Sequence, residues 1–284
     1  MKARTPQSLR LICAAFASAL LLLALILWQG LRRGTAVRVG IPRSVSAYGA
    51  GMLLQTPSAQ YKTVLGSTPQ ALLAALNSGE LDAALLPYTL ARQAEGAEIR
   101  AVLGYETPVL LGRERIGVLR DLAGSTLTLD EGLRSSRTEN MLRALLREAE
   151  VRCEIAYGGP EDAVLYCCDI DTAAALLAKR EDLDICFSFS RAWQREAGEW
   201  PPAGLCLAVR QDFLQRAGSD YAAFERALES AVRYGGDKRK KTAAMAAAAG
   251  LADSEELADR LYPYCDFCYL TGSEMNAALN ALTK

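Results

Sequence analysis

The stretch from Tyr61 to Leu86 constrains the fold more than any other. Tyr61 to Leu65 reads as a strand ended by Gly66. Ser67-Thr68-Pro69 then opens a helix, with Thr68 at the N-cap and Pro69 in the first turn, where a missing N–H does no harm. Leu72, Leu73 and Leu76 form its apolar face and Gly79 stops it. Leu81 to Leu86 is short and continuously apolar, the pattern of a strand buried in a parallel sheet, and it ends in Pro87-Tyr88-Thr89. Strand, helix and strand with short connections make a βαβ unit. Val37 to Ile41 alternates ahead of it and supplies a first strand, ended by Pro42. The fold class is therefore α/β.

The pattern continues. Ile99 to Leu103, Val109 to Leu111 and Thr126 to Leu129 read as further strands. Ser136-Arg137-Thr138-Glu139 is a capping box for a helix whose apolar face is Met141, Leu142, Leu145 and Leu146. A faint repeat links two regions. Ala71-Leu72-Leu73-Ala74 leads to Leu81-Asp82 and an apolar strand, and Ala175-Leu176-Leu177-Ala178 leads to Leu183-Asp184 and Ile185-Cys186-Phe187. Aligned, Pro87-Tyr88 falls opposite Phe189-Ser190, which predicts two lobes of one plan with corresponding strand ends facing each other. After Pro201-Pro202, Leu205 to Val209 is one more strand, Asp212 to Arg233 a long helix, and the remainder is read as helical.

The first 36 residues differ in kind. Leu11 to Trp28 carries no charge, and Lys2, Arg4 and Arg10 precede it. A bilayer span needs about 20 apolar residues, so the run fits an export signal or a signal anchor. The body is then expected outside the cytoplasmic membrane. Beyond residue 36 the basic residues number 27 against 33 acids, so the body is mildly acidic at −6. No basic surface points to nucleic acid. The 284 residues include no histidine, which excludes Ser-His-Asp and Cys-His catalysis and any His-ligated metal. Seven cysteines follow Cys13, an odd number. Cys186 and Cys206 read as small core residues, and Cys265-Asp-Phe-Cys268 has CxxC spacing without a second pair. A structural role is expected for it, and no metal or cofactor is assigned.

These elements, in this order, resemble the type 2 periplasmic substrate-binding proteins of ABC importers, in the branch that takes nitrate, sulfonates, taurine and thiamine pyrimidine precursors. Four segments carry the likeness. Leu76-Asn77-Ser78-Gly79-Glu80-Leu81-Asp82-Ala83-Ala84 resembles the family's helix-to-strand step, and Ile116 with Asp121-Leu122-Ala123-Gly124 its start of the second lobe. Gly159-Pro160-Glu161-Asp162-Ala163 resembles a helix start, and Arg210-Gln211-Asp212-Phe213-Leu214 the segment after the chain returns. The tail Tyr269 to Met275 is similar as well. The resemblance implies a two-lobe α/β fold with mixed sheets and a two-strand hinge, which the hydrophobic amino-terminal helix read within residues 1–36 would precede. The first lobe would comprise 37–120 and 204–284, and the second 121–203.

Ligands of open α/β sheets sit beyond the carboxyl ends of strands, near helix N-termini whose free N–H groups suit anions. Four places qualify: Ser44 and Ser46 after the first strand, Ser67 and Thr68 at the first long helix, Ser135, Ser136, Arg137 and Thr138 at the second, and Ser188 and Ser190 after the repeated strand. Tyr88 adds an aromatic wall, and Arg137 is the candidate partner for an acidic group. Helix capping by Thr68 and Ser136, a solvated Arg137 and a core Tyr88 are the competing structural roles. The expected function is a non-enzymatic, monomeric binder. It would deliver a small anionic or heteroaromatic solute to a permease and its ATPase, with the amino-terminal segment in the membrane. A pyrimidine-precursor synthase of the same fold, suggested by Cys167-Cys168, and a membrane-tethered sensor are the alternatives.

Overall fold

The described part of the chain opens with β1 (Val37–Pro42), whose hydrophobic side chains are fully buried, followed by a 3₁₀ turn (Val45–Ala50) and α1 (Gly51–Gln55). The structure is a computed structural model describing residues 36–281 except Pro57, Thr107, Asp162, Gly198 and Glu199. The expected signal or anchor lies outside the described residues. Next come β2 (Tyr61–Gly66), α2 (Pro69–Ser78), β3 (Ala83–Pro87), α3 (Tyr88–Ala91) and β4 (Ala97–Tyr105). Thr68 caps α2 by accepting the Ala71 N–H at 3.1 Å, and Gly79 ends it in the left-handed region at φ 82°. Asp82, almost fully buried, accepts both the backbone N–H and the guanidinium of Arg38 at 2.7–3.0 Å. That aspartate ties β1 to the start of β3, so the Gly-Glu-Leu-Asp step is a structural joint.

The chain then crosses into a second layer with β5 (Pro108–Gly112), β6 (Thr126–Leu129), α4 (Arg137–Glu148), β7 (Glu154–Tyr157), β8 (Tyr166–Asp169), α5 (Ile170–Leu177), β9 (Asp184–Ser188) and α6 (Phe189–Glu196). It returns through β10 (Ala203–Arg210), α7 (Gln211–Asp237), α8 (Arg239–Ala248), α9 (Glu255–Leu261), β11 (Phe267–Leu270) and α10 (Gly272–Asn280). The strands form two mixed sheets. One has order β11-β4-β10-β3-β1-β2, and the other β7-β6-β8-β5-β9. The two crossings run side by side: Ala203 pairs with Tyr105, and the Glu106 N–H donates to the Pro202 carbonyl at 2.8 Å. A Cβ on Gly204 would stand 2.2 Å from the Tyr105 oxygen, so only glycine fits this double crossing.

Three readings are corrected. The second layer takes in β5, between β8 and β9, so the crossing lies before Pro108 rather than at residue 121. An apolar run such as Val109–Leu111 advertises a buried strand but not which sheet it joins. Gly159–Ala163 starts no helix among its described residues; β8 intervenes, and the helix begins at Ile170 with Asp169 as its cap. The tail is not wholly helical, because Phe267–Leu270 pairs antiparallel with β4.

Candidate functional site

Strand ends of both sheets converge on a cavity of about 440 Å³. Ser44 and Ser46 line it from the turn after β1, Thr138 from the first turn of α4, and Tyr105 and Gly204 from the paired crossings. Of its charged lining, the sequence pointed only to Arg43, beside Ser44 and Ser46 after the first strand; the three acids were not read from it. Glu106 follows β4, Asp169 and Asp171 stand at the head of α5, and Arg43 is the basic residue of the lining. Arg43 and Glu106 directly follow β1 and β4, Asp169 closes β8, and Asp171 lies in the first turn of the helix that follows it.

The position expected to take an anion is already filled. Asp171 accepts the Ser44 hydroxyl at 2.7 Å and the Val45 N–H at 2.7 Å, reaching from the second sheet's helix to the first sheet's turn. Enclosure in the cleft pushes its pKa up, and Ser44 and Val45 pull against that. The Thr138 hydroxyl donates to Glu106 at 3.0 Å. Burial raises the Glu106 pKa as well, against Arg137 and Thr138.

The remaining expected site residues are dispersed. Ser67 and Thr68 lie at the α2 start, where Thr68 is a cap, and neither lines the cavity, although Pro69 does. Ser136 caps α4 by accepting the Glu139 N–H at 3.1 Å. Glu139 reaches back to the N–H of Ser135 rather than of Ser136, because Ser135 turns left-handed at φ 58°. Arg137 is turned from the cavity's solvent. Its guanidinium donates to the Ala203 carbonyl at 2.6 Å and the Leu279 carbonyl at 3.4 Å, stands 3.9 Å from Glu106, and stacks 4.2 Å over Tyr88. Arg137 and Tyr88 instead line a second cavity of about 760 Å³. Ser188 and Ser190 are buried outside both cavities; they bond each other at 3.0 Å, and Ser190 donates to Asp266. The repeat therefore holds locally, since β3 and β9 are each preceded and followed by a helix.

The cysteines are placed for packing. Cys167, Cys168, Cys206 and Cys265 are buried, and burial pushes all four thiols well up. Cys268 is pushed up to about 12. Among the described residues no three His, Cys, Asp or Glu side chains are placed to hold a metal ion, and no helix is long and apolar enough to cross a membrane.

No protein-family model and no curated protein matches the sequence. Solved structures do. An ABC transporter from Parabacteroides distasonis is 15% identical over 87% of this chain and 90% of that one, with a TM-score of 0.67. The periplasmic aliphatic sulphonate binding protein of Escherichia coli is 17% identical over 87% and 85%, with a TM-score of 0.58. The ligand-binding component of an ABC-type import system from Staphylococcus aureus, with zinc bound, is 15% identical over 88% and 90%, also at 0.58. At such identities the likeness is one of fold, and the fold is that of the periplasmic binding proteins.

Proposed function

We propose that this chain is the extracytoplasmic solute-binding component of an ABC importer, which captures a small solute between its two sheets and presents the closed form to a permease and its ATPase. One observation carries the reading: hydrogen-bonding groups from both sheets and both crossings line a single cavity of about 440 Å³, within the size range of small-molecule sites. Ser44, Ser46, Thr138, Tyr105 and Glu106 are the residues proposed to meet the solute. Protonated, enclosed thiols and the absence of histidine favour binding over catalysis.

Of the two solute classes expected, the lining favours the heteroaromatic one. Asp171 already occupies the donors that a free anion would use. Glu106 and Asp169 offer acceptors, and Tyr105 a ring face, to a flat solute bearing N–H groups. The hydrophobic run Leu11–Trp28 supports export or tethering, with the remainder outside the cytoplasmic membrane.

A thermal-shift screen of the full chain tests the reading, with aminopyrimidines set against alkanesulfonates and nitrate. A solute at 100 times its Kd stabilises by about 2.7 kcal/mol. An aminopyrimidine is expected to do so, and Thr138→Ala to weaken it. A response to sulfonate alone would overturn the solute class, and no response across the panel would overturn the binding role.

A further inference from the structure

The larger cavity has no part in the reading above. It opens between α3, α4, α6 and α10, and its volume of about 760 Å³ suits a small ligand. Its electrostatics run against those of the molecule. In a body of net −6, four arginines line it, Arg92, Arg137, Arg143 and Arg147, with Glu148 as its carboxylate.

The register of α4 explains the concentration. Met141, Leu142, Leu145 and Leu146 pack into the second sheet's core. The opposite face then brings Arg137, Asn140, Ala144 and Arg147 into one row, three or four residues apart. Two of the four arginines are engaged. Arg143 is held by Glu139 at 2.6 Å and by the Tyr157 hydroxyl, and Arg137 by two backbone carbonyls. Arg92 and Arg147 have no carboxylate partner among the described residues. Arg92 and Arg137 share one ring, lying 5.6 and 4.2 Å from the centre of Tyr88. Burial holds the Arg137 pKa below the usual guanidinium range against the pull of Glu106, and the charge of Arg92 adds a smaller push in the same direction as burial.

Two uncompensated guanidiniums and a third stacked beside them on Tyr88 call for the same complement, which is clustered oxyanion oxygens.

We propose that this cavity binds a small oligoanion, whose two or more phosphate or carboxylate groups are gripped by Arg92, Arg147 and Arg137. The site is separate from the solute cavity and does not depend on what that cavity takes. Arg137 forms the wall between them, since it lines the larger cavity and approaches Glu106 of the smaller one.

Calorimetric titration of the full chain with inorganic pyrophosphate and with citrate, at matched ionic strength, tests the proposal. At least one is expected to bind saturably, and the two arms separate phosphate from carboxylate chemistry. Arg92→Gln and Arg147→Gln replace exposed side chains, so folding is expected to survive. Each should weaken binding about tenfold, whereas Arg226→Gln, which removes the same charge from α7, should not. Saturable binding of neither probe, equal affinity in the Arg92→Gln and Arg147→Gln variants, or displacement by chloride at the same ionic strength would overturn it. The aminopyrimidine response should persist in Arg92→Gln, so either site can fail without the other.

Discussion

Asp171 shows how one side chain can change what a site accepts. Its carboxylate takes two donors across the cleft, and its enclosure raises its pKa above the ordinary carboxylate value. Glu106 and Asp266 are raised for the same first reason, burial. A carboxylate whose folded pKa is raised binds its proton more tightly in the folded state than in the unfolded chain. The folded state therefore gains stability as these groups protonate, and that gain is lost as pH rises through their folded pKa values. Carboxylates held low, such as Glu139 and Asp259, act the other way and matter only below the usual carboxylate range. Between that range and neutrality the raised set dominates. Urea denaturation is thus expected to give greater stability at mildly acidic pH than at neutral pH, and Asp171→Asn and Glu106→Gln should each flatten that slope. A slope unchanged in both variants would remove this account. None of the three carboxylates is conspicuous in the sequence. An acid after a strand signals only a turn or a cap, and pairing Asp171 with Ser44 spans 127 positions that no local pattern connects.

At the scale of elements, local chemistry was legible where a few neighbouring residues decide the outcome. Thr68-Pro69 and Gly79 bound α2, and Ser136 caps α4, because caps and left-handed turns depend on side chains within three or four positions. Sheet membership was not legible. β5 joins partners 55 to 79 residues away, and β8, with its Tyr-Cys-Cys-Asp sequence, has too short an apolar run to stand out. Substitutions should reflect the same division. Ser136→Ala should cost about 1 kcal/mol, the usual loss of a cap. Gly79→Ala should cost about 1–2 kcal/mol for its left-handed backbone alone, and its Cβ would also displace the Arg210 guanidinium. Gly204→Ala should cost more than either, since its Cβ meets backbone of the neighbouring crossing, which cannot swing aside. Equilibrium denaturation ranks the three, and a Gly204→Ala variant as stable as Ser136→Ala would mean the crossings can part freely.

At the scale of the molecule, the two layers are pinned by the chain's own side chains at more than one place. Asp171 holds Ser44 and Val45 at one. At another, Ser190 donates to Asp266, Arg191 to the Pro263 carbonyl, and Tyr264 to the Ile185 carbonyl at 3.1 Å. The arrangement of the two layers seen in the structure is therefore held by contacts that need no solute. If only the closed form binds tightly, apparent affinity scales with the closed fraction of the free protein. Ser190 lies outside both cavities, so Ser190→Ala loosens the pin without touching a solute contact. The loss leaves the Asp266 carboxylate short of a donor at a half-buried position, a penalty of about 1–3 kcal/mol against the closed state. A shift of that size lowers the closed fraction by up to roughly tenfold or more where open and closed forms are closely balanced. Small-angle scattering of Ser190→Ala without solute should accordingly report a larger radius of gyration than the parent chain, and saturating solute should restore the parent value. Its apparent Kd should rise by the factor through which the closed fraction falls, with unchanged solute preference. Expansion without any loss of affinity would show that the open form binds equally well, and the hinge would then have no part in capture.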